Sequence, residues 1–355
     1  MLKKAAALFL VCASLAICVS CGKTVSHYVY AAIPTASQIV VYREDPNSGI
    51  LNVLAGSPFS AGPGVQSIVI HPSKQFLYAA NSSEGDISLF DIESGGALTE
   101  VTPRTPSGGI TPTLLVMDPA GSFLYVGNTE SENIAVFSID SSSGKLTAVP
   151  GSPVGLSISP LNMKLAPNGS VLYITGAGSP GYIEAWSVVS GVPTSLLNPV
   201  VQPGSSPYGL AINPSGSYLY TANFGDNSIS EFSINSDGSL TELPGSPIGE
   251  AYTSPVSLLI DNSGKYLYVA NEGSGNLGAY AIGSDGGLTL LTNSPFGTNA
   301  QPSFIAMDPT ENYLFVGNQK GGAIESFSLD TSSGSLTEVG SYSVGSTPTS
   351  IAVLP

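Results

Sequence analysis

The stretch Pro207-Tyr-Gly-Leu-Ala-Ile-Asn-Pro-Ser-Gly-Ser-Tyr-Leu-Tyr-Thr-Ala-Asn223 decides the fold. Its first half is a short apolar run led by proline, and its second half is rich in aromatic and β-branched residues. Between them lies Pro214-Ser-Gly216, a turn signal. Two such runs joined by a tight turn read as adjacent antiparallel strands, here called A and B. Strand C follows at Ile229 to Ile234 with an aromatic, Phe232. A Ser236-Asp-Gly238 turn then gives a hairpin into strand D, Leu240 to Leu243.

The same phrase recurs along the chain, and copies of strand B end at Ile33, Asn81, Asn128, Gly176, Asn223, Asn271 and Asn318. Successive copies are 47 or 48 residues apart. A period of this length with four strands per unit is the pattern of propeller blades. The expected fold is all-β: a seven-bladed β-propeller with four antiparallel strands per blade.

The chain ends fix how the ring closes. The first copy begins directly at strand B, Tyr28 to Ile33, with no strand A before it. The last residues, from Pro348 to Pro355, match strand A and have no B, C or D after them. Three N-terminal strands and one C-terminal strand therefore complete one blade, which removes exposed sheet edges. The core register follows from period-two alternation. Strand C carries one aromatic per blade, Tyr42, Phe90, Phe137, Trp186, Phe232, Tyr280 and Phe327. Strand A places Ile68, Leu115, Met163, Leu210, Leu258, Ile305 and Ile351 at one equivalent position. Trp186, unique in the chain, is thus read as core rather than as a ligand-stacking platform.

Composition agrees with many short strands and tight turns. Of 355 residues, 41 are Gly and 27 Pro, while only 10% are charged. The net charge is −15, and two of the few cations, Lys3 and Lys4, sit in a leader, so the remaining body is more acidic still. Such a surface repels phosphates, and nucleic-acid binding is not expected.

Residues 1–20 have the organisation of a signal segment. Lys3 and Lys4 form a positive start, and Ala5 to Ile17 is an apolar run too short for a comfortable span. Cys18-Val19-Ser20 then precedes Cys21. The segment resembles a bacterial lipoprotein signal in which Cys21 is lipidated, with Cys18 standing where that motif usually carries Leu. Export to the cell envelope or periplasm with a lipid anchor is expected; simple secretion is the alternative. All three cysteines lie in or at the end of this leader, so no disulfide framework is expected. Residues 27–355 are expected to form one propeller domain and a monomer.

The Tyr-Leu-Tyr-Val-Ala-Asn strand, the Pro-Ser-Gly turns and the proline-led inner strand resemble the seven-bladed propeller lactonase family. That family includes bacterial propeller-type 6-phosphogluconolactonases and fungal muconate lactonizing enzymes, and the resemblance covers residues 27–355. It implies lactone chemistry carried by His, Arg and Glu beside the channel. The mature chain, however, has only His27, His71, Arg43 and Arg104 for the cationic roles. Strand directions place His27, His71 and Arg43 at the bottom rim. Arg104 is read in a strand D to strand A connection toward the top. No convergence of His, Arg and Glu is evident, so no catalytic residue is carried over. His71 reads as a turn residue, because Asp118, Asn213, Asp261 and Asp308 hold its position elsewhere.

Residues that break the repeat are the candidates for function. Lys164 occupies a strand A position held elsewhere by Val69, Val116, Ala211, Leu259, Ala306 and Ala352. It either contacts an anion in the channel or snorkels into solvent, and the second is preferred. With Lys164, the candidate ligand-binding residues are Gln66, Tyr208, Gln301 and Arg104. Blade 4 is irregular: Gly176 replaces the recurrent Asn, and Ser190-Gly-Val-Pro193 replaces the usual C–D turn. A pocket that breaks the ring's symmetry is expected there. The recurrent Asn residues are read as bonding their own turns. The B–C loops carry Glu84, Asp86, Glu130, Glu132, Asp226 and Glu272, read as a solvated rim rather than a cation-attracting face. No EF-hand spacing or Cys/His cluster is present, so neither a metal site nor a cofactor is expected.

Two functions follow. The preferred one is an exported, lipid-anchored propeller that serves as a binding or interaction scaffold. Its partner would be a small molecule or a protein at the channel mouth or loop face. The alternative is a hydrolase of an unphosphorylated lactone or sugar derivative.

Overall fold

The structure is a computed structural model that describes residues 27–354 except 179, 198, 199 and 250. The leader and Cys21 lie outside the described residues. Seven antiparallel sheets follow one another around a ring, each running A to D from the centre outward. In blade 5 the strands are Pro207–Ile212, Tyr218–Asn223, Ser228–Ile234 and Leu240–Glu242.

Ring closure is as expected. Ser350–Leu354 pairs antiparallel with His27–Ile33, with Ala352 opposite Tyr30, and so becomes strand A of blade 1. Thr349 N–H donates to Ala32 O across the joint at 3.1 Å. Strand B of blade 1 begins one residue earlier than expected, at His27, and Arg43 lies within strand C, Gln38–Glu44.

Burial is organised by the gaps between blades. Among the described residues, seven apolar clusters form, each drawing on two neighbouring blades. The strand C aromatics are buried except Trp186, which is half-buried against the blade 3–4 cluster and donates Nε1–H to Glu184 Oε2 at 2.8 Å. The aligned strand A apolar residues, Ile68 to Ile351, are all buried. A propeller lacks one central core, because the centre is a channel and apolar faces can be covered only by the next blade.

Polar contacts between blades repeat as well. The second tyrosine of the strand B phrase reaches the C–D turn of the next blade. Tyr30 Oη donates to Gly96 O, Tyr78 to Gly144 O, Tyr173 to Gly238 O, Tyr220 to Gly286 O and Tyr268 to Gly334 O, at 2.6–3.1 Å. The receiving glycine is required. Gly286 has φ 85°, and a Cβ there would lie 2.4 Å from the Tyr218 ring. Two positions depart. Blade 7 has Phe315 in this place, and Gly49 O instead accepts from Ser326 Oγ at 2.8 Å. Tyr125 faces the irregular C–D connection of blade 4, and its hydroxyl is buried without a partner among the described residues.

Arg104 requires a correction. It lies within strand D of blade 2, Leu98–Pro106, and not in a connection. In blades 1, 3, 5 and 6 a Ser-Pro segment interrupts the outer strand, as at Ser57-Pro58 and Ser246-Pro247. Blade 2 carries Val101-Thr-Pro103 there, and its strand D runs on to pair Pro106 with Asp86.

Candidate functional site

The central channel is a cavity of about 650 Å³, lined by strand A residues from all seven blades. Its mouth is shaped by a repeated defect. In blades 2 to 7 the A–B register slips near the start of strand A, which leaves one residue of strand A without an opposite partner. Such bulges re-aim a side chain away from the pleat. The skipped residues are Gln66, Thr113, Leu161, Tyr208, Val256 and Ser303, and every one lines the channel. The same slip in all six blades builds a ring of non-equivalent side chains.

Deeper in the channel stands Lys164, three residues beyond the bulge of its strand, roughly 10 Å along the strand direction. Its side chain is exposed to channel water, yet protein surrounds it, and this enclosure lowers its pKa below the ordinary lysine value. Among the described residues it has no ion-pair partner. Among the described residues it is the only charged side chain lining the cavity, and none of them brings a carboxylate, imidazole or guanidinium there. The lining offers hydroxyls, amides and aliphatic walls around one cation.

Of the sequence candidates, Lys164, Gln66 and Tyr208 therefore share one cavity. Tyr208 is 43% exposed and packs its ring 5.3 Å from that of Phe224. Gln301 does not line the channel. It sits in a left-handed turn at φ 38°, a position that Gly64, Thr111, Ser206 and Ser254 fill elsewhere, also at positive φ. Gln319, which the sequence did not single out, lines the channel instead. Arg104 is on an outermost strand and is already engaged. Its Nη1 is 2.7 Å from Glu84 Oε2, and its Nε is 2.7 Å from Glu100 Oε1.

The remaining polar residues resolve structurally. His71 is a turn residue: its Nδ1 accepts from Ser73 N–H at 3.0 Å, and its Nε2 lies 2.8 Å from Gly121 O. The strand B asparagines are buried, and Asn81, Asn128, Asn223 and Asn271 bond across to strand C rather than to their own turn. Asn81 Nδ2 donates to Asp86 Oδ1 at 2.7 Å and Asn223 Nδ2 to Ser228 Oγ at 2.9 Å. Several rim acids are also occupied, Glu130 by Thr111 and Asp226 by the Ser205 N–H. Blade 4 is flanked by two smaller cavities, of about 280 and 270 Å³, on its blade 5 and blade 3 sides.

One convergence was not legible in the sequence. His27, Glu44 and Asp308, all buried, bring ligand-type atoms within 4.8 Å of one another at the bottom of the blade 1–blade 7 joint. Burial, with Asp308 and Asp45 nearby, pushes the Glu44 carboxyl up to about 8. The chain separation of Asp308 from the other two hid the cluster.

A closed seven-bladed propeller with an asymmetric, nearly uncharged channel is thus the class of protein that these features define. The description "Lactonase, 7-bladed beta-propeller" matches residues 27–157, 153–246 and 244–353, and the chain belongs to that family. No curated protein sequence matches it. Solved structures that share the fold include the following three. A Lactobacillus plantarum protein is 21% identical with a TM-score of 0.80, covering 93% of this chain and 99% of its own. A Bacteroides fragilis protein provisionally named a 6-phosphogluconolactonase is 18% identical with a TM-score of 0.81, covering 93% and 98%. The periplasmic gluconolactonase of Pseudomonas aeruginosa is 18% identical with a TM-score of 0.78, covering 93% and 99%.

Proposed function

We propose that this protein is an exported, lipid-anchored propeller that binds a small hydroxylated anion, of the sugar-acid class, in its channel. The observation that carries this reading is Lys164, one unpaired cation in a cavity otherwise lined by neutral groups. An anionic group placed at Lys164 would gain a charge-assisted hydrogen bond in a partly dehydrated site. A body of roughly 10 Å would then bring its hydroxyls to Gln66, Ser303 and Tyr208 at the bulge ring. A lactone and its hydrolysis product differ by one carboxylate, so a family built around lactones offers a precedent for this ligand class.

Hydrolysis is the second reading. The lowered pKa of Lys164 supports it, since a neutral amine can act as a base. Opening a lactone also needs a group to stabilise the developing oxyanion, and near Lys164 only neutral donors are available.

The test is calorimetric titration with a panel of aldonates and uronates, beside a hydrolysis assay on the matching lactones. Lys164→Ala is the control, because blades 5, 7 and 1 already carry Ala there. Sugar-acid binding that weakens at least tenfold in the variant, without lactone turnover, is expected. Turnover by the native protein that disappears in Lys164→Ala would establish the hydrolase instead. The anchor is tested separately by acyl labelling of native protein and Cys21→Ser.

A further inference from the structure

We propose that His27, Glu44 and Asp308 form a binding site for a divalent first-row transition ion that pins blade 1 to blade 7 at the closing joint of the ring.

The internal repeat shows how unusual this site is. Glu44 ends strand C of blade 1. Its equivalents are Ile92, Ile139, Val188, Ile234, Ile282 and Leu329, so six of seven blades place an aliphatic side chain here. The equivalence is structural: each of these residues donates its N–H to the residue just before or opening strand B, as Ile92 does to Gln75 and Leu329 to Asn312. Glu44 pairs in register with His27, the blade 1 counterpart of Gln75, Ser122, Ser170, Ser217, Lys265 and Asn312. Blade 1 alone thus carries an imidazole and a carboxylate facing each other where the other copies have neither.

Burial makes the pair consequential. The side chains of His27 and Glu44 are 6% and 0% exposed. His27 Nδ1 and both carboxylate oxygens of Glu44 are buried without a hydrogen-bond partner. Leaving a carboxylate in that condition is strongly unfavourable, and a cation relieves it. Asp308 enters from blade 7. Its Oδ1 accepts from Tyr313 N–H at 2.7 Å, while Oδ2 accepts from Thr310 N–H at 2.9 Å and from the Thr310 hydroxyl. Those bonds hold the carboxylate in place, as outer-shell contacts do around metal ligands. Asp45 and Tyr313 are the other titratable groups beside Glu44.

The distances suit an ion. His27 Nδ1 lies 3.3 Å from Glu44 Oε2 and 3.9 Å from Asp308 Oδ2. Ligand atoms about 2.1 Å from a tetrahedral ion stand about 3.4 Å apart. One imidazole with two carboxylates is a donor set for Zn²⁺ or Mn²⁺, whereas Ca²⁺ takes oxygen ligands in larger number. The three residues come from both sides of the seam where the chain ends meet, so an ion here would cross-link the joint.

The experiment takes untagged protein stripped with chelator and titrates Zn²⁺ and Mn²⁺ separately. Ion content is measured by elemental analysis, and thermal midpoints are recorded with and without metal. Three variants borrow residues from other blades: Glu44→Ile, His27→Gln and Asp308→Asn, the last matching Asn213 of blade 5. Circular dichroism confirms that each is folded. The expected result is one ion per native chain, a higher midpoint when it is bound, and affinity at least 100-fold lower in Glu44→Ile. Native protein that takes up neither ion stoichiometrically overturns the proposal. So does a folded Glu44→Ile protein that binds like native.

Discussion

Replacing Tyr220 by Phe deletes one oxygen atom and with it one contact between blades. The Tyr220 hydroxyl donates to Gly286 O at 2.7 Å in a buried site. The lost bond contributes about 1 kcal/mol, and the glycine carbonyl left unpaired adds to the penalty, giving about 1.5–2 kcal/mol in total. Tyr125→Phe is the matched control. It removes the same atom from the same position in the repeat, but that hydroxyl is buried with no partner among the described residues. Its removal should change stability by less than about 0.5 kcal/mol, or raise it, because an unsatisfied buried group disappears. Urea unfolding followed by fluorescence, with the midpoint compared at constant slope, reads the difference. In a body of this size the corresponding thermal shift for Tyr220→Phe is only about 2–3 °C, so denaturant is the better probe. Equal losses in Tyr125→Phe and Tyr220→Phe would refute the reasoning, since the bond to the next blade would then contribute nothing.

Burial raises the pKa of Tyr42 to about 12 and raises those of Tyr30, Tyr78, Tyr125, Tyr173, Tyr220 and Tyr268 as well. A raised folded-state pKa means that stability is fully present below the unfolded value near 10 and is lost as pH rises above it. The ring should therefore unfold steeply in alkali, and each Tyr→Phe change should flatten that pH profile in denaturation curves recorded above pH 10. Deleting residues 348–355 removes strand A of blade 1 and uncovers the edge of His27–Ile33; size-exclusion chromatography should show aggregation in place of the native elution peak. Arg104→Ala breaks the contacts to Glu84 and Glu100 at a partly exposed site. It should cost about 1 kcal/mol in urea unfolding and leave channel binding unchanged by calorimetry.

Much of this molecule is local and therefore written along the chain. A blade is one unit of four successive strands, and its turns, its alternation and its 47–48-residue spacing need no distant information. The closing strand was legible for the same reason, because a lone strand A at one end and a missing one at the other can be counted. Lys164 stood out as a charge in a column of aliphatics. Gln66 and Tyr208 fall at the bulges, yet the slip in register that turns them into the channel depends on how strand A pairs with strand B.

Tertiary structure decided what happens between copies. Gln301 and Gln319 are both glutamines near blade 7, and only the backbone path sends the second into the channel. Tyr125 has the sequence of its partnered equivalents, and its orphaned hydroxyl follows from the altered turn of the next blade. Asp308 reads as one of several turn residues, and it is that. Its second role arises because ring closure sets blade 7 against blade 1, bringing it beside a His and a Glu more than 260 residues away in the chain. Sequence periodicity fixes what each blade is, because those interactions are short in range. Which unlike residues meet across a seam is set by closure of the whole ring, and no single repeat contains it.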